Sequence, residues 1–104
     1  MKPITDGAEV SIDFPDKAYV GSFGRHSSFA VEAAAEGATL KLSHLGEDRR
    51  TAEIHLHYYL LADILSELGK AVAAHSPIDE AHRALLAESA RELAKALSKP
   101  GKAE

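Results

Sequence analysis

His55 and His57 are separated by one residue, and this spacing could support metal chemistry. In a strand this spacing points both imidazoles to the same face, where they would supply half of a metal site. Glu53 is the neighbouring side chain that could also bind the ion. A closed zinc site needs four ligands, so a metal held by Glu53, His55 and His57 is a hypothesis. The alternative is a pair of solvated or interface histidines on a polar sheet face.

A second candidate site is the glycine- and serine-rich segment 21–28. Its glycines allow close approach of the backbone, and Arg25, His26, Ser27 and Ser28 could bind a carboxylate or a phosphate. The segment matches neither the P-loop nor the dinucleotide-binding fingerprint, and it does not lead into a helix N-terminus. A flexible connection between two strands explains the same residues and is the favoured interpretation.

Catalysis finds little support among the remaining polar residues. His82 and Ser89 share one face of the last helical segment, but no carboxylate shares that face to orient a base. We therefore interpret His82 as a core histidine that is hydrogen-bonded to the sheet or to His44. The acidic pairs Glu47-Asp48 and Asp79-Glu80 suit a turn and a helix start. The sequence assigns no catalytic residue and favours a non-enzymatic protein, without deciding the point.

Composition limits the class of protein. The chain has 104 residues, no cysteine and a net charge of −4, which predicts one domain without disulfides or thiolate metal sites. The first residues lack the apolar run of a signal peptide, so we expect a cytoplasmic protein that does not bind membranes. Arg49-Arg50 is the only adjacent basic pair and follows two acids, which argues against nucleic-acid binding. No cofactor is predicted.

Five segments have the alternation of half-buried strands, and two have helical periodicity. The strands are expected at 8–14, 18–23, 28–35, 38–45 and 53–58, with Pro15-Asp16 in the first turn. The second of them could be short, bulged or at an edge because glycines flank it. From Tyr59 onward the apolar period lengthens to that of a helix. A second helix is expected with Ser76 as its N-cap and with Pro100-Gly101 at its end.

Two hairpin registers follow from keeping the apolar side chains on one face. Pairing Ala35 with Ala38 across a Glu36-Gly37 turn gives the pairs Val31–Leu42, Ala33–Leu40 and Phe29–His44. Pairing His44 with Arg50 gives Leu42–Ala52, Leu40–Ile54 and Ser43–Thr51. On the other face, Glu32, Lys41 and Glu53 then form a row of alternating charge.

The order of the segments predicts an α+β fold. An antiparallel meander of four to five strands is followed by two C-terminal helices that pack on one face of the sheet. Residues 1–7 and 99–104 are expected to fray.

A small α+β domain of this kind is expected to act through protein contacts, as a homodimer. The uncovered outer face of the sheet, or an edge strand, is the expected contact surface. That face carries small and lightly charged residues: Ala30, Ala34, Thr39, Ser43, Thr51, His55 and His57. The alternative function is binding of a small molecule, an anion or a metal by the Arg25 loop or the His55 and His57 pair.

Overall fold

The computed structural model describes residues 1–75 and 77–99, and within them the chain forms strands followed by helices. This order confirms the predicted α+β class. The elements are β1 Lys2–Pro3, β2 Ala8–Phe14, β3 Lys17–Phe23, β4 Ser27–Ala33, β5 Gly37–His44, β6 Arg50–His57, α1 Tyr58–Ala74 and α2 Glu80–Ser98. Two compact units, Met1–Ser66 and Glu67–Glu104, divide the chain inside α1. The single domain predicted from the chain length stays a prediction.

The first hairpin forms a two-stranded sheet of its own. β2 and β3 are antiparallel, and Phe14 lies opposite Lys17, so that Pro15-Asp16 forms the connection that the sequence predicts. Val10 lies opposite Gly21 and Ile12 opposite Tyr19. Because side chains alternate along a strand, the apolar residues of β2 share one face of this hairpin with Tyr19 and Phe23.

The remaining strands form an antiparallel sheet in the order β1-β4-β5-β6. Lys2 and Pro3, at an end expected to fray, pair with Phe29 and Ser28 of β4. β1 thereby occupies the edge of β4 on which a continuous meander would place β3. This pairing explains why the first hairpin forms a separate sheet, while β4, β5 and β6 follow one another as a meander.

The predicted register of β5 and β6 is confirmed. His44 lies opposite Arg50, Leu42 opposite Ala52, Leu40 opposite Ile54 and Ser43 opposite Thr51. The charged row also forms, since Lys41 Nζ lies 3.1 Å from Glu32 Oε1 and 3.7 Å from Glu53 Oε1. Hydrogen bonding and attraction from Glu32, followed by attraction from Glu53, raise the pKa of Lys41. The two glutamates therefore favour the charged form of Lys41, which lies on an exposed face of the sheet.

The predicted register of β4 and β5 is wrong by two residues. Ala33, rather than Ala35, lies opposite Ala38, so that Phe29 pairs with Leu42 and Val31 with Leu40. The physical reason is the position of the turn, because Ala34 N donates to Gly37 O at 2.9 Å, so that Ala35 and Glu36 form the connection and Gly37 belongs to β5. A Cβ atom placed there would lie 2.5 Å from Leu56 O, so close backbone packing against β6 requires glycine. The apolar residues keep their face because the shift is an even number.

Tyr58 fixes the point where β6 passes into α1. Its backbone N donates to Glu36 O at 3.1 Å, and its hydroxyl donates to Ala34 O at 2.7 Å. Both acceptors lie in the turn between β4 and β5. The side chain and backbone of one residue therefore tie the first turn of α1 to the sheet.

The buried core is small. Among the described residues, the buried large apolar side chains are Phe23 and Leu42, which are 3% and 7% exposed. The Arg50 guanidinium lies over the Phe23 ring, 5.5 Å from its centroid. Neither α1 nor α2, both of which are fully described, contains a buried residue. The packing of both helices on one face of the sheet stays a prediction.

The start of α2 differs from the prediction. Asp79 is the N-cap, with extended backbone, and its Oδ1 accepts a hydrogen bond from His82 N at 2.9 Å. Asp satisfies one of the free N–H groups of the first turn, and its charge is favourable at the positive end of the helix. Ser76, the predicted cap, and Pro100-Gly101, the predicted stop, lie outside the described residues, as does most of the expected C-terminal fraying at 99–104.

Candidate functional site

The four residues of the Arg25 loop do not converge on one point. Arg25 and His26 are exposed in the turn between β3 and β4, and His26 adopts a positive φ of 72°. Ser27 N donates to Gly24 O at 3.0 Å, which closes the turn. Ser27 and Ser28 are successive residues of β4, so their side chains leave opposite faces of the sheet. Anion binding by this loop stays a prediction, with Arg25 and His26 as its exposed polar side chains.

Ser27 is instead paired with His44. Ser27 is 2% exposed, and its Oγ is joined to His44 Nδ1 by a hydrogen bond of 2.9 Å. The two residues lie opposite each other in β4 and β5, where the two-residue register shift brings them together. A nucleophilic serine must be reachable by its substrate, and this hydroxyl is covered. The pair therefore satisfies a buried polar group and holds two strands in register.

The sequence prediction missed this pair because it set His44 opposite Phe29. Ser27 continues the alternation of Phe29 and Val31 along β4, so the face it occupies was readable from the sequence. The missing information was the register, which follows from the turn at Ala35 and Glu36.

A groove of about 470 Å³ lies between the first hairpin and β6. Its apolar lining comes from Val10, Ile12, Tyr19, Val20 and Phe23 of the hairpin and from Ala52 and Ile54 of β6. Arg50 closes part of its edge, and this guanidinium already donates from Nε to Ser22 O and from Nη1 to Asp48 O, each at 2.8 Å. Those bonds link β6 to the hairpin. Arg50 therefore has a structural role, since its guanidinium joins β6 to the hairpin.

The histidine pair lies on the exposed face of the edge strand β6, as predicted. The rings of His55 and His57 are nearly perpendicular, with centroids 5.0 Å apart. His55 Nδ1 is joined to Thr39 Oγ1 by a hydrogen bond of 2.8 Å, and Glu53 pairs with Lys41. Within residues 1–75 and 77–99, no group of three or more His, Asp or Glu side chains could hold a metal ion. A metal on this pair would need further ligands from outside the described chain.

His82 is exposed, and its interpretation as a core histidine is wrong. Its Nδ1 lies 2.7 Å from Asp79 Oδ1, the oxygen that caps α2. The backbone hydrogen bond from His82, and then the side-chain contact with the same residue, lower the pKa of Asp79. The signal for this contact was local, since the two residues are three positions apart across the first helical turn. His82 stabilises the capping carboxylate.

Large apolar side chains are exposed on both helices, as some are on the strands, where Val20 is 80% exposed. Tyr59 is 94% exposed and Leu68 is 56% exposed. Further large apolar side chains are exposed along both helices, namely Leu60, Ile64 and Leu65 on α1 and Leu85, Leu86, Leu93 and Leu97 on α2. The sequence predicted the apolar stripes but not their exposure. Among the described residues, no helix combines the length and the apolar character that crossing a membrane requires.

Comparison of the chain with protein-family models, with characterised proteins and with solved structures finds no match. The function must therefore be argued from the geometry of this chain alone. Within that geometry, the exposed apolar surface is the candidate functional site, because contiguous apolar patches mark surfaces that contact other molecules.

Proposed function

We propose that the protein is a non-enzymatic interaction module that works by self-association, as a homodimer. The observation that carries this proposal is the absence of any buried residue in α1 or α2, although both helices carry rows of large apolar side chains. An amphipathic helix gains most of its stability in a protein from packing its apolar face. These faces need a partner, and a second copy of the chain supplies one.

The energetics support the same conclusion. Ordering a chain of this length costs on the order of 100 kcal/mol in conformational entropy, which buried apolar surface must offset. Two buried large apolar side chains in the described residues provide little of that surface. Association would bury the helical side chains as well, so folding and dimer formation are expected to be coupled.

The charge distribution supports a protein partner over nucleic acid. The net charge is −4, and Arg50 of the single adjacent basic pair is engaged with Ser22 O and Asp48 O. The lack of cysteine fits a reducing compartment, so we place the module in the cytoplasm. The Ser27 hydroxyl is buried and hydrogen-bonded to His44, which supports a role without catalysis.

Sedimentation equilibrium tests the proposal. The expected result is a dimer at micromolar concentration, with a helical circular-dichroism signal that falls as the protein is diluted through the dissociation range. A strictly monomeric and fully helical chain at high micromolar concentration would contradict the proposal. The dilution series is essential, because loss of helix together with loss of dimer is what coupled folding predicts.

A further inference from the structure

We infer that the dimer forms through the helices, with α1 and α2 of two copies making a four-helix bundle. This inference rests on the proposed self-association and names its surface. Apolar, small and charged residues occupy corresponding heptad positions on the two helices. The sheet faces and the edge strands are the competing surfaces.

The apolar seam of α1 follows the heptad spacing of helices that pack in bundles. Leu61, Leu65, Leu68 and Val72 are separated by four, three and four residues, which is the spacing of the two core positions of a heptad. Tyr58 extends the series by three residues toward the N-terminus, and its contacts with the turn at Ala34 and Glu36 anchor that end. The seam spans the whole length of α1.

The apolar seam of α2 has the same spacing. Leu86, Ala90, Leu93 and Leu97 are again separated by four, three and four residues. Leu93 is exposed in the single chain, as are Leu86 and Leu97. Two helices of one chain therefore present seams of equal length and equal spacing, as the layers of a helix bundle require.

Small residues flank both seams. On α1 the positions beside the seam hold Ala62, Gly69 and Ala71 together with Ile64, and on α2 they hold Ala87, Ser89, Ala94 and Ala96. Small flanking side chains let neighbouring helices approach closely, because the interaxial distance depends on the side chains at the contact. A seam flanked on both sides in this way can contact more than one neighbouring helix. Two helices from one chain cannot provide those neighbours, whereas four helices from two chains can.

Charged residues lie away from the seams. The charged residues of α1 are Asp63, Glu67 and Lys70, all on the opposite side of the helix, where Lys70 Nζ pairs with Glu67 Oε2 at 2.9 Å. Between Leu86 and Leu97, the charged residues are Glu88, Arg91, Glu92 and Lys95, which occupy the equivalent outer positions. A bundle built on the seams would bury none of these charges, so it avoids the desolvation cost of unpaired ions.

Gly69 provides the sharpest test, because the two arrangements predict opposite effects of adding a side chain there. In the single chain, a Cβ atom at Gly69 meets nothing within 4 Å. Leucine is also a much better helix former than glycine. Gly69→Leu should therefore strengthen an isolated α1. In the bundle, the same side chain would fill the space that a neighbouring helix occupies.

The dimer dissociation constant of Gly69→Leu, measured by sedimentation equilibrium, is expected to rise about tenfold or more, a change typical of an interface position. The matched control is Ser66→Leu, which adds the same side chain on the outer side of α1 and should leave the dissociation constant unchanged. An unchanged or lower dissociation constant for Gly69→Leu would overturn the bundle. Circular dichroism of both variants at high concentration verifies that the helix is retained.

Three further variants separate the helices from the sheet. Leu68→Glu places a charge in the seam and is expected to weaken the dimer on the order of a hundredfold. Ile54→Glu on the apolar sheet face and Thr51→Glu on the outer face should stay dimeric. Dissociation by a sheet variant, with Leu68→Glu still dimeric, would overturn the bundle and leave self-association standing. A monomeric wild-type protein would instead overturn the proposed function itself.

Discussion

The strands and the helices of this protein contrast in how far their apolar side chains are buried. In the strands, Phe23 and Leu42 are buried and Ser27 is hydrogen-bonded to His44, although Val20 and Val31 are 80% and 63% exposed. In α1 and α2 no residue is buried, although their apolar periodicity is as regular as that of the strands. Regular periodicity therefore predicts which side of an element is apolar, but it does not say which molecule covers that side.

The difference has a physical origin in how each element finds a neighbour. A strand must pair its backbone with another strand, and short turns bring that neighbour from the same chain. A helix satisfies its backbone internally, so its apolar face can be covered from the same chain or from another. A single chain of an obligate interaction module would expose the apolar faces of its helices in this way.

The largest expected effect compares a buried ring with an exposed helical side chain. Phe23→Ala should lower the free energy of unfolding by about 3–5 kcal/mol, because it leaves a cavity beneath Arg50. Leu85→Ala should change it by about 0.5 kcal/mol or less, since Leu85 is 66% exposed and lies outside the α2 seam. Urea unfolding at fixed protein concentration measures both. Equal losses in the two variants would remove the contrast between the regions.

The next effect compares two glycines. Gly37→Ala should cost about 1–3 kcal/mol, because the new Cβ would lie 2.5 Å from Leu56 O and the backbone of β6 would have to move. Gly69→Ala meets no such contact, and because alanine favours a helix over glycine by up to about 1 kcal/mol, it should raise the helical signal that remains in dilute, dissociated protein. Thermal unfolding at high concentration measures Gly37→Ala, and circular dichroism at low concentration measures Gly69→Ala. A neutral Gly37→Ala would show that β6 accommodates a side chain at this close approach.

A smaller effect is expected for the buried serine. Ser27→Ala removes the partner of His44 Nδ1 and should cost about 1 kcal/mol, the usual contribution of one hydrogen bond. The exposed Ser11→Ala in β2 serves as the control and should change stability by about 0.5 kcal/mol or less. Urea unfolding gives the stabilities, and the imidazole NMR signals of His44 should shift in Ser27→Ala alone. Unmoved His44 signals would argue against the pair.

The smallest effect concerns the N-cap of α2. Asp79→Ala should reduce the helical circular-dichroism signal of the first turn of α2, because His82 N loses its acceptor. The hydrogen bond from His82 lowers the pKa of Asp79 below its ordinary value of 3.8. The carboxylate therefore contributes stability above pH 3.8, and that contribution is lost as the pH falls through the lowered pKa.

Asp79→Asn tests the charge separately, since asparagine also caps helices. It should retain most of the helical signal near neutral pH while losing the part of the acid dependence that Asp79 contributes. An acid dependence identical to that of the wild-type protein would show that Asp79 does not titrate with the helix.

Much of the local structure could be predicted from the sequence, since it depends on periodicity and turn chemistry. The bounds of β2, the turn at Pro15-Asp16 and the register of β5 with β6 all follow from alternation. The pairing of β1 with β4 does not, because two residues carry no periodic signal. The Ser27–His44 pair also required the structure, since its register depends on the turn in which Ala34 N donates to Gly37 O. The histidine pair lies on the predicted face.

The sequence by itself determined the α+β order, the two apolar stripes on the helices and the absence of thiol chemistry. These depend on residue type and spacing along the chain, which require no knowledge of distant contacts. Only the tertiary structure decided which stripes are buried, which strand lies at each edge and how β4 registers on β5. Burial is a property of neighbours in space, and neither described helix contains a buried residue. The exposed apolar faces of α1 and α2 are therefore the candidate functional surface.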